Sequence, residues 1–192
     1  MPKLRYFAVA AILVFFALSK GAAQEPQPSV PAQYSAVAFG QSGPAAGKSF
    51  GMSIYVDGLS APGDIDELIG TLHSKGQDGL VSAIEKLKDI GRVAPTGSVG
   101  TGMRVVLIRP GPDGGQHIVL ATNRPITFGE LYNGTRSTQY PIGIVVLNVD
   151  KDGKGTGSFA PACKVKFNKK KQLEIEHYGQ KPFRLANVRR EK

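Results

Sequence analysis

The sequence predicts an α+β protein, mainly antiparallel β: a curved meander sheet or small barrel of about eight strands with a two-helix insertion after the second strand. Three observations carry this. The segment Ser49–Val56 alternates cleanly, with Phe50, Met52, Ile54 and Val56 on one face and Ser49, Gly51, Ser53 and Tyr55 on the other. Two apolar stripes at helical spacing follow, Ile65, Leu68, Ile69 and Leu72 and then Leu80, Val81, Ile84 and Leu87. Beyond Arg92 the signals are strand and short turn throughout, and consecutive strands joined by short turns run antiparallel.

Taken in order, Tyr34–Phe39 is the first strand and Ser49–Val56 the second, joined by a Gly, Pro and Ala loop. Ser60 and Pro62 open the first helix and Lys75-Gly76 closes it; Asp78 caps the second, which Gly91 stops. The polar face of that second helix mixes Glu85 and Asp89 with Lys86 and Lys88, the pattern of a helix packed on a sheet rather than laid on a membrane. Met103–Arg109 and Gln116–Thr122 flank the turn Pro112-Asp113-Gly114-Gly115, and Ile142–Val149 and Thr156–Phe167 flank Asp150-Lys151-Asp152-Gly153. Leu173–Tyr178 and Phe183–Val188 complete the meander, and no internal repeat is present.

With 192 residues, 41% hydrophobic and 20% charged, the composition is globular, which excludes collagen-like, disordered and disulfide-scaffold classes and fits one domain. Lys3 and Arg5 precede an unbroken apolar run of 13 residues, Tyr6–Leu18, and Gly21-Ala22-Ala23 supplies small residues for cleavage. That run is shorter than the ~20 apolar residues a bilayer span takes. The expected organisation is therefore a signal peptide at 1–23, a flexible Pro- and Gln-rich lead at 24–33 and a single β-rich domain at 34–192. The expected location is secreted or periplasmic, with no transmembrane segment after signal removal.

Without Lys3, Arg5 and Lys20 the net charge of +9 becomes +6, and the surplus is uneven. Residues 24–163 hold eleven basic and twelve acidic side chains, whereas 164–192 hold ten basic against Glu174, Glu176 and Glu191. The single Cys163 can form no intrachain disulfide; it shares the apolar parity of Phe159, Pro161, Val165 and Phe167 and reads as a small buried hydrophobe in a monomeric protein.

Several motif-like stretches fail on chemistry. Gly43-Pro44-Ala45-Ala46-Gly47-Lys48-Ser49 has three residues between glycines where a phosphate-binding loop has four, and Ser49 opens a strand rather than a helix. Asp150-Lys151-Asp152-Gly153-Lys154-Gly155 begins like a calcium loop but has Lys154 where the third ligand belongs and Pro161 where a twelfth-position glutamate belongs, so it reads as a turn. Asn133-Gly134-Thr135 fits both a glycosylation acceptor and a simple turn. His73, His117 and His177 lack metal-site spacing, Gly40-Gln41-Ser42-Gly43 misplaces a nucleophile elbow, and Glu174 and Glu176 alternate with Leu173 and Ile175 like a solvated strand face. No metal, cofactor or catalytic residue is assigned.

The stretch from Arg124 to Tyr140 is different. It is the longest connection in the strand-rich half and concentrates Arg, Tyr, Glu, Asn and Gln, the mix that recognition surfaces favour on a rigid scaffold. The candidate ligand-binding residues are Arg124, Glu130, Tyr132, Asn133, Arg136 and Tyr140: the tyrosines for flat contact area, the arginines for a carboxylate or phosphate. The simpler alternative is a short lid in which Phe128, Leu131 and Tyr132 close one end of the sheet and Arg136 pairs with Glu130. A second candidate surface, for polyanions, is the basic C-terminal hairpin with Lys169, Lys170, Lys171, Arg184, Arg189 and Arg190.

Gly76-Gln77-Asp78-Gly79-Leu80, Gly91-Arg92-Val93-Ala94-Pro95-Thr96-Gly97, Arg124-Pro125-Ile126 and Arg136-Ser137 with Tyr140-Pro141 resemble segments of a group of uncharacterised exported bacterial proteins of similar length. The resemblance implies export and a bacterial source and carries over no activity. The expected function is a secreted, non-enzymatic binding module of the bacterial envelope or extracellular space, whose partner is a small molecule or an envelope component and not a specific nucleic acid. The alternative is a polyanion or envelope-surface binder working through the basic hairpin, and an enzyme of unrecognised class is third.

Overall fold

The computed structural model describes residues 30–126, 139–168, 172–177 and 181–191. The strands are β1 (Ala32–Phe39), β2 (Ser49–Val56), β3 (Gly91–Pro95), β4 (Thr101–Met103), β5 (Val105–Pro110), β6 (Gln116–Thr122), β7 (Ile142–Val149), β8 (Lys154–Phe167), β9 (Leu173–His177) and β10 (Phe183–Arg190), and the helix is α1 (Pro62–Glu85). All ladders are antiparallel, in the order β4-β3-β2-β1-β10-β8-β7-β6-β5, with β9 on β8.

The two ends of that order lie in one stretch of chain. Residues 101–103 pair with β3 and residues 105–110 with β6, so the strand changes partner across Arg104 and the sheet becomes a nearly closed barrel. Arg104 also ties this seam to the helix. Its amide donates to the Ala121 carbonyl at 3.0 Å, while its guanidinium donates to the Glu85 carbonyl in the last turn of α1 and to Asp89 at 3.1 Å. A cation there also suits the negative end of the helix dipole.

Period-two alternation decides which side chains fill the barrel. Tyr34, Ala36 and Ala38 of β1, Met52, Ile54 and Val56 of β2, Leu147 and Val149 of β7, Phe159 of β8 and Phe183, Leu185 and Val188 of β10 all point inward and form one continuous core. A second core lies outside the wall, where Ile65, Leu68, Leu72, Leu80 and Ile84 of α1 pack on the outer faces of β5 to β9. Burying each of these side chains contributes about 1.5–3 kcal/mol relative to exposure. β7 lies between the two cores, which is why Ile142 to Leu147 is apolar without alternation.

The predicted two-helix insertion is corrected to one helical element. The chain does break where the sequence places a stop, since Gly76 has φ 67° and ψ −161°, but helix resumes at once and runs to Glu85. Asp78 thus lies within α1 rather than capping a second helix. Ser60 does not cap either: the residue before the helix is Ala61, and the Ser60 hydroxyl accepts the Val106 amide at 3.0 Å while its own amide donates to the Val106 carbonyl. Gly91, expected as a helix stop, is buried in β3 opposite Val56 and Met103. The signal-peptide segment 1–23 lies outside the described residues, as does most of the lead; β1 begins at Ala32. Among the described residues no helix is long and apolar enough to cross a membrane.

Candidate functional site

β8 is longer than the barrel needs. Cys163 is its last residue paired with β7, and residues 163–167 run on beside β9, forming an arm past the barrel wall. One face of this arm, with Cys163, Val165, Phe167, Leu173 and Ile175, is packed under α1. The other carries Lys164, Lys166, Glu174 and Glu176. Beyond Cys163 the edge of β8 facing β7 loses its ladder partner, and the chain leading into β7 splays away.

Gln77 fills this splay. Its Oε1 accepts the amide of Val165 at 3.1 Å and its Nε2 donates to the carbonyl of Gln139 at 3.2 Å, so one side-chain carboxamide joins β8 to the turn that leads into β7. The break at Gly76 immediately before it sets where Gln77 leaves the helix, in a conformation that only glycine adopts without strain. Beside Gln77 is an open cleft of about 300 Å³, lined by Leu72, His73 and Gly76 of α1 and by residues 164–167 of β8. His73 closes one side, edge-on to Phe167 at 5.8 Å.

Of the ligand-binding residues expected from sequence, the structure places Arg124 and Tyr140; Glu130, Tyr132, Asn133 and Arg136 lie outside the described residues. Arg124 is exposed. Two residues later Ile126 is buried in the barrel core, and its amide donates to the Pro161 carbonyl at 2.9 Å, fixing where the connection leaves the wall. Gly143 makes room for it, since a Cβ there would lie 2.6 Å from Ile126 Cγ1. At the other end Gln139 is held by Gln77, and Tyr140, half-buried, donates its hydroxyl to Glu176 Oε1 at 2.6 Å.

Glu176 is the hub of this corner, a role its strand alternation gave no reason to expect. Lys166 donates to its other oxygen at 2.8 Å, and the Lys164 ammonium sits 4.5 Å from the centre of the Tyr140 ring. The Lys166 hydrogen bond, then that of Tyr140, holds the Glu176 carboxyl below the usual range, and the same bond to Glu176 raises Lys166. Gln77 and Glu176 are thus the site residues missed from sequence; the helix-breaking glycine before Gln77 was the one available signal.

Cys163 and His177 are cross-strand partners beneath the arm. Burial pushes the Cys163 thiol up to about 12, and its Sγ–H donates to the Ile142 carbonyl at 3.2 Å, so it behaves as a small hydrophobe. Burial lowers His177, whose Nδ1 has no hydrogen-bond partner among the described residues. Among those residues no group of three His, Cys, Asp or Glu side chains could hold a metal ion.

The polyanion candidates separate. Lys169, Lys170 and Lys171 lie outside the described residues. Arg184 and Arg189 are exposed on the outer face of β10, while Arg190 lies at the strand's end, close enough to oppose the upward push of burial on the Tyr34 hydroxyl. Compared with protein-family models, curated proteins and solved structures, the chain matches none.

Proposed function

We propose that this protein is a non-enzymatic binding module of the bacterial envelope or extracellular space that takes its ligand outside the barrel, where the Arg124–Tyr140 connection returns to the arm of β8 and β9. The observation that carries this reading is the corner itself. Gln77 and Glu176 hold Gln139 and Tyr140, and Lys164, which like Gln77 lines the cleft, lies over the tyrosine ring. The cation of Lys164 and the amphipathic ring of Tyr140 are thus held in place before any ligand arrives, which lowers the ordering cost of binding. The barrel interior, in contrast, is filled by the chain's own side chains, so a lipocalin-like ligand inside it is disfavoured.

The chemistry favoured is a small anion, a carboxylate or phosphate, met by Lys164, with Arg124, exposed at the other end of the connection, as the second cation to test. The test is a binding screen of small carboxylates and phosphates by ligand-observed NMR, using the wild type and the surface variant Arg124→Ala/Lys164→Ala. A hit weakened at least tenfold in the variant supports the site. If the variant binds every hit as the wild type does, the ligand is held elsewhere; if the wild type turns a hit over, the non-enzymatic reading fails.

A further inference from the structure

The helix covers the outer faces of β5 to β9, and among the described residues no second layer lies on the arc formed by β3, β2, β1, β10 and the first half of β8. The register across this arc brings cations together. Lys154 of β8 faces Arg189 of β10, both exposed, and the same row continues through Ser35 of β1 to Ser53 of β2. Like charges directly opposed on neighbouring strands repel. Among the described residues neither Lys154 nor Arg189 has an ion pair, and the acid beside the row, Glu191, accepts a hydrogen bond from Ser35.

Two rows further along the same face, Ser158, Arg184, Phe39 and Ser49 lie side by side. The Arg184 guanidinium lies 5.5 Å over the Phe39 ring, and toward the other side of the arc Arg92 lies 4.0 Å over Tyr55 while donating to the Val99 carbonyl. Each guanidinium thus lies within cation–π distance of a ring on its own face of the sheet. Between these two rows lie Val37 of β1, paired with Ala186 of β10 and Gly51 of β2, and the exposed Thr156 of β8.

We infer that this uncovered arc binds an anionic polysaccharide, with Lys154, Arg184 and Arg189 meeting its acidic groups and the hydroxyls of Ser35, Ser53 and Ser158 meeting the sugar hydroxyls. A single-stranded nucleic acid is the weaker fit, because its bases require aromatic platforms and the rings on this arc already carry guanidiniums. The inference takes nothing from the cleft beside Gln77, and failure of the small-anion screen leaves it standing.

Polygalacturonate is the probe, with dextran, poly-L-glutamate and oligo(dT) as comparators, in affinity electrophoresis and titrations at low and moderate salt. Lys154→Glu/Arg189→Glu alters the arc, and Lys86→Glu/Lys88→Glu, on exposed residues following α1, makes the same change in net charge elsewhere. The expected result is salt-sensitive binding of polygalacturonate that weakens at least tenfold in the arc variant and less than twofold in the helix-end variant, with dextran and poly-L-glutamate bound at least tenfold more weakly. Lys154→Gln/Arg189→Gln decides the matter if charge reversal prevents folding; a loss of at least threefold is expected. No binding by the wild type, equal losses in the two reversal variants, or binding of poly-L-glutamate or oligo(dT) as tight as that of polygalacturonate overturns the assignment.

Discussion

Replacing Gln77 by alanine is predicted to destabilise the protein by about 1–2 kcal/mol, and the structure says where the loss arises. The variant removes two hydrogen bonds of 3.1 and 3.2 Å, but their ends differ. The Val165 amide belongs to a residue only 5% exposed, and an orphaned buried donor costs about 1–3 kcal/mol, toward the lower end here because the open cleft lets water approach once Gln77 is cut back. Gln139 is exposed and its carbonyl can turn to solvent, which makes that end nearly free. For a domain of this size, a loss of that order lowers Tm by roughly 2–8 °C. Urea denaturation gives the free energy, and hydrogen exchange of the Val165 amide reports the bond directly, with at least tenfold faster exchange expected in the variant. Gln77→Glu keeps the acceptor and loses the donor, so it should lose less than half as much. Gly76→Ala should move in the same direction as Gln77→Ala, because the break that aims Gln77 becomes strained by about 1–3 kcal/mol. Unchanged Val165 exchange in Gln77→Ala, or a Gln77→Glu variant as unstable as the alanine one, would refute the carboxamide bridge.

Tyr140→Phe should raise the Glu176 titration midpoint seen by NMR, since it removes the second of the two hydrogen bonds that lower it; a midpoint unchanged from wild type would show that Lys166 alone sets it. The carboxylate form is the one bound, so the contribution of this corner is complete above the ordinary glutamate range and is lost as pH falls through the lowered midpoint. His177 is lowered by burial, so the unfolded chain takes up its proton first as pH falls below about 6.5. Stability should therefore decline from pH 7 toward pH 5, and His177→Phe should flatten that slope; an equally steep slope in the variant would place its origin elsewhere.

What the sequence revealed and what it hid divide along physical lines. Ser49–Val56, Gln116–Thr122 and Ile142–Val149 were legible to the residue because pattern and turn chemistry are local. Gly91–Pro95 was missed as a strand because five residues bounded by Gly and Pro look like the end of a helix, and only its place between β2 and β4 makes it a stave. The change of partner at Arg104 was equally invisible, since nothing local says that one stretch serves both edges of the sheet. At the candidate site, Tyr140 stood out by composition. Gln77 and Glu176 did not, because their importance lies in partners 62 and 88 residues away for Gln77 and 36 for Glu176.

The pairing of β1 with β10 has a temporal consequence. These neighbours in the wall are separated by about three-quarters of the chain; Ser35 bonds Glu191 across 156 positions. Contacts so distant in sequence slow folding, because loop entropy is lost before they form. Until Phe183–Arg190 docks, the edge of β1 that it covers has its backbone donors and acceptors unpaired. Anything that delays this final strand prolongs the period in which two open sheet edges, rather than a barrel, face the surroundings.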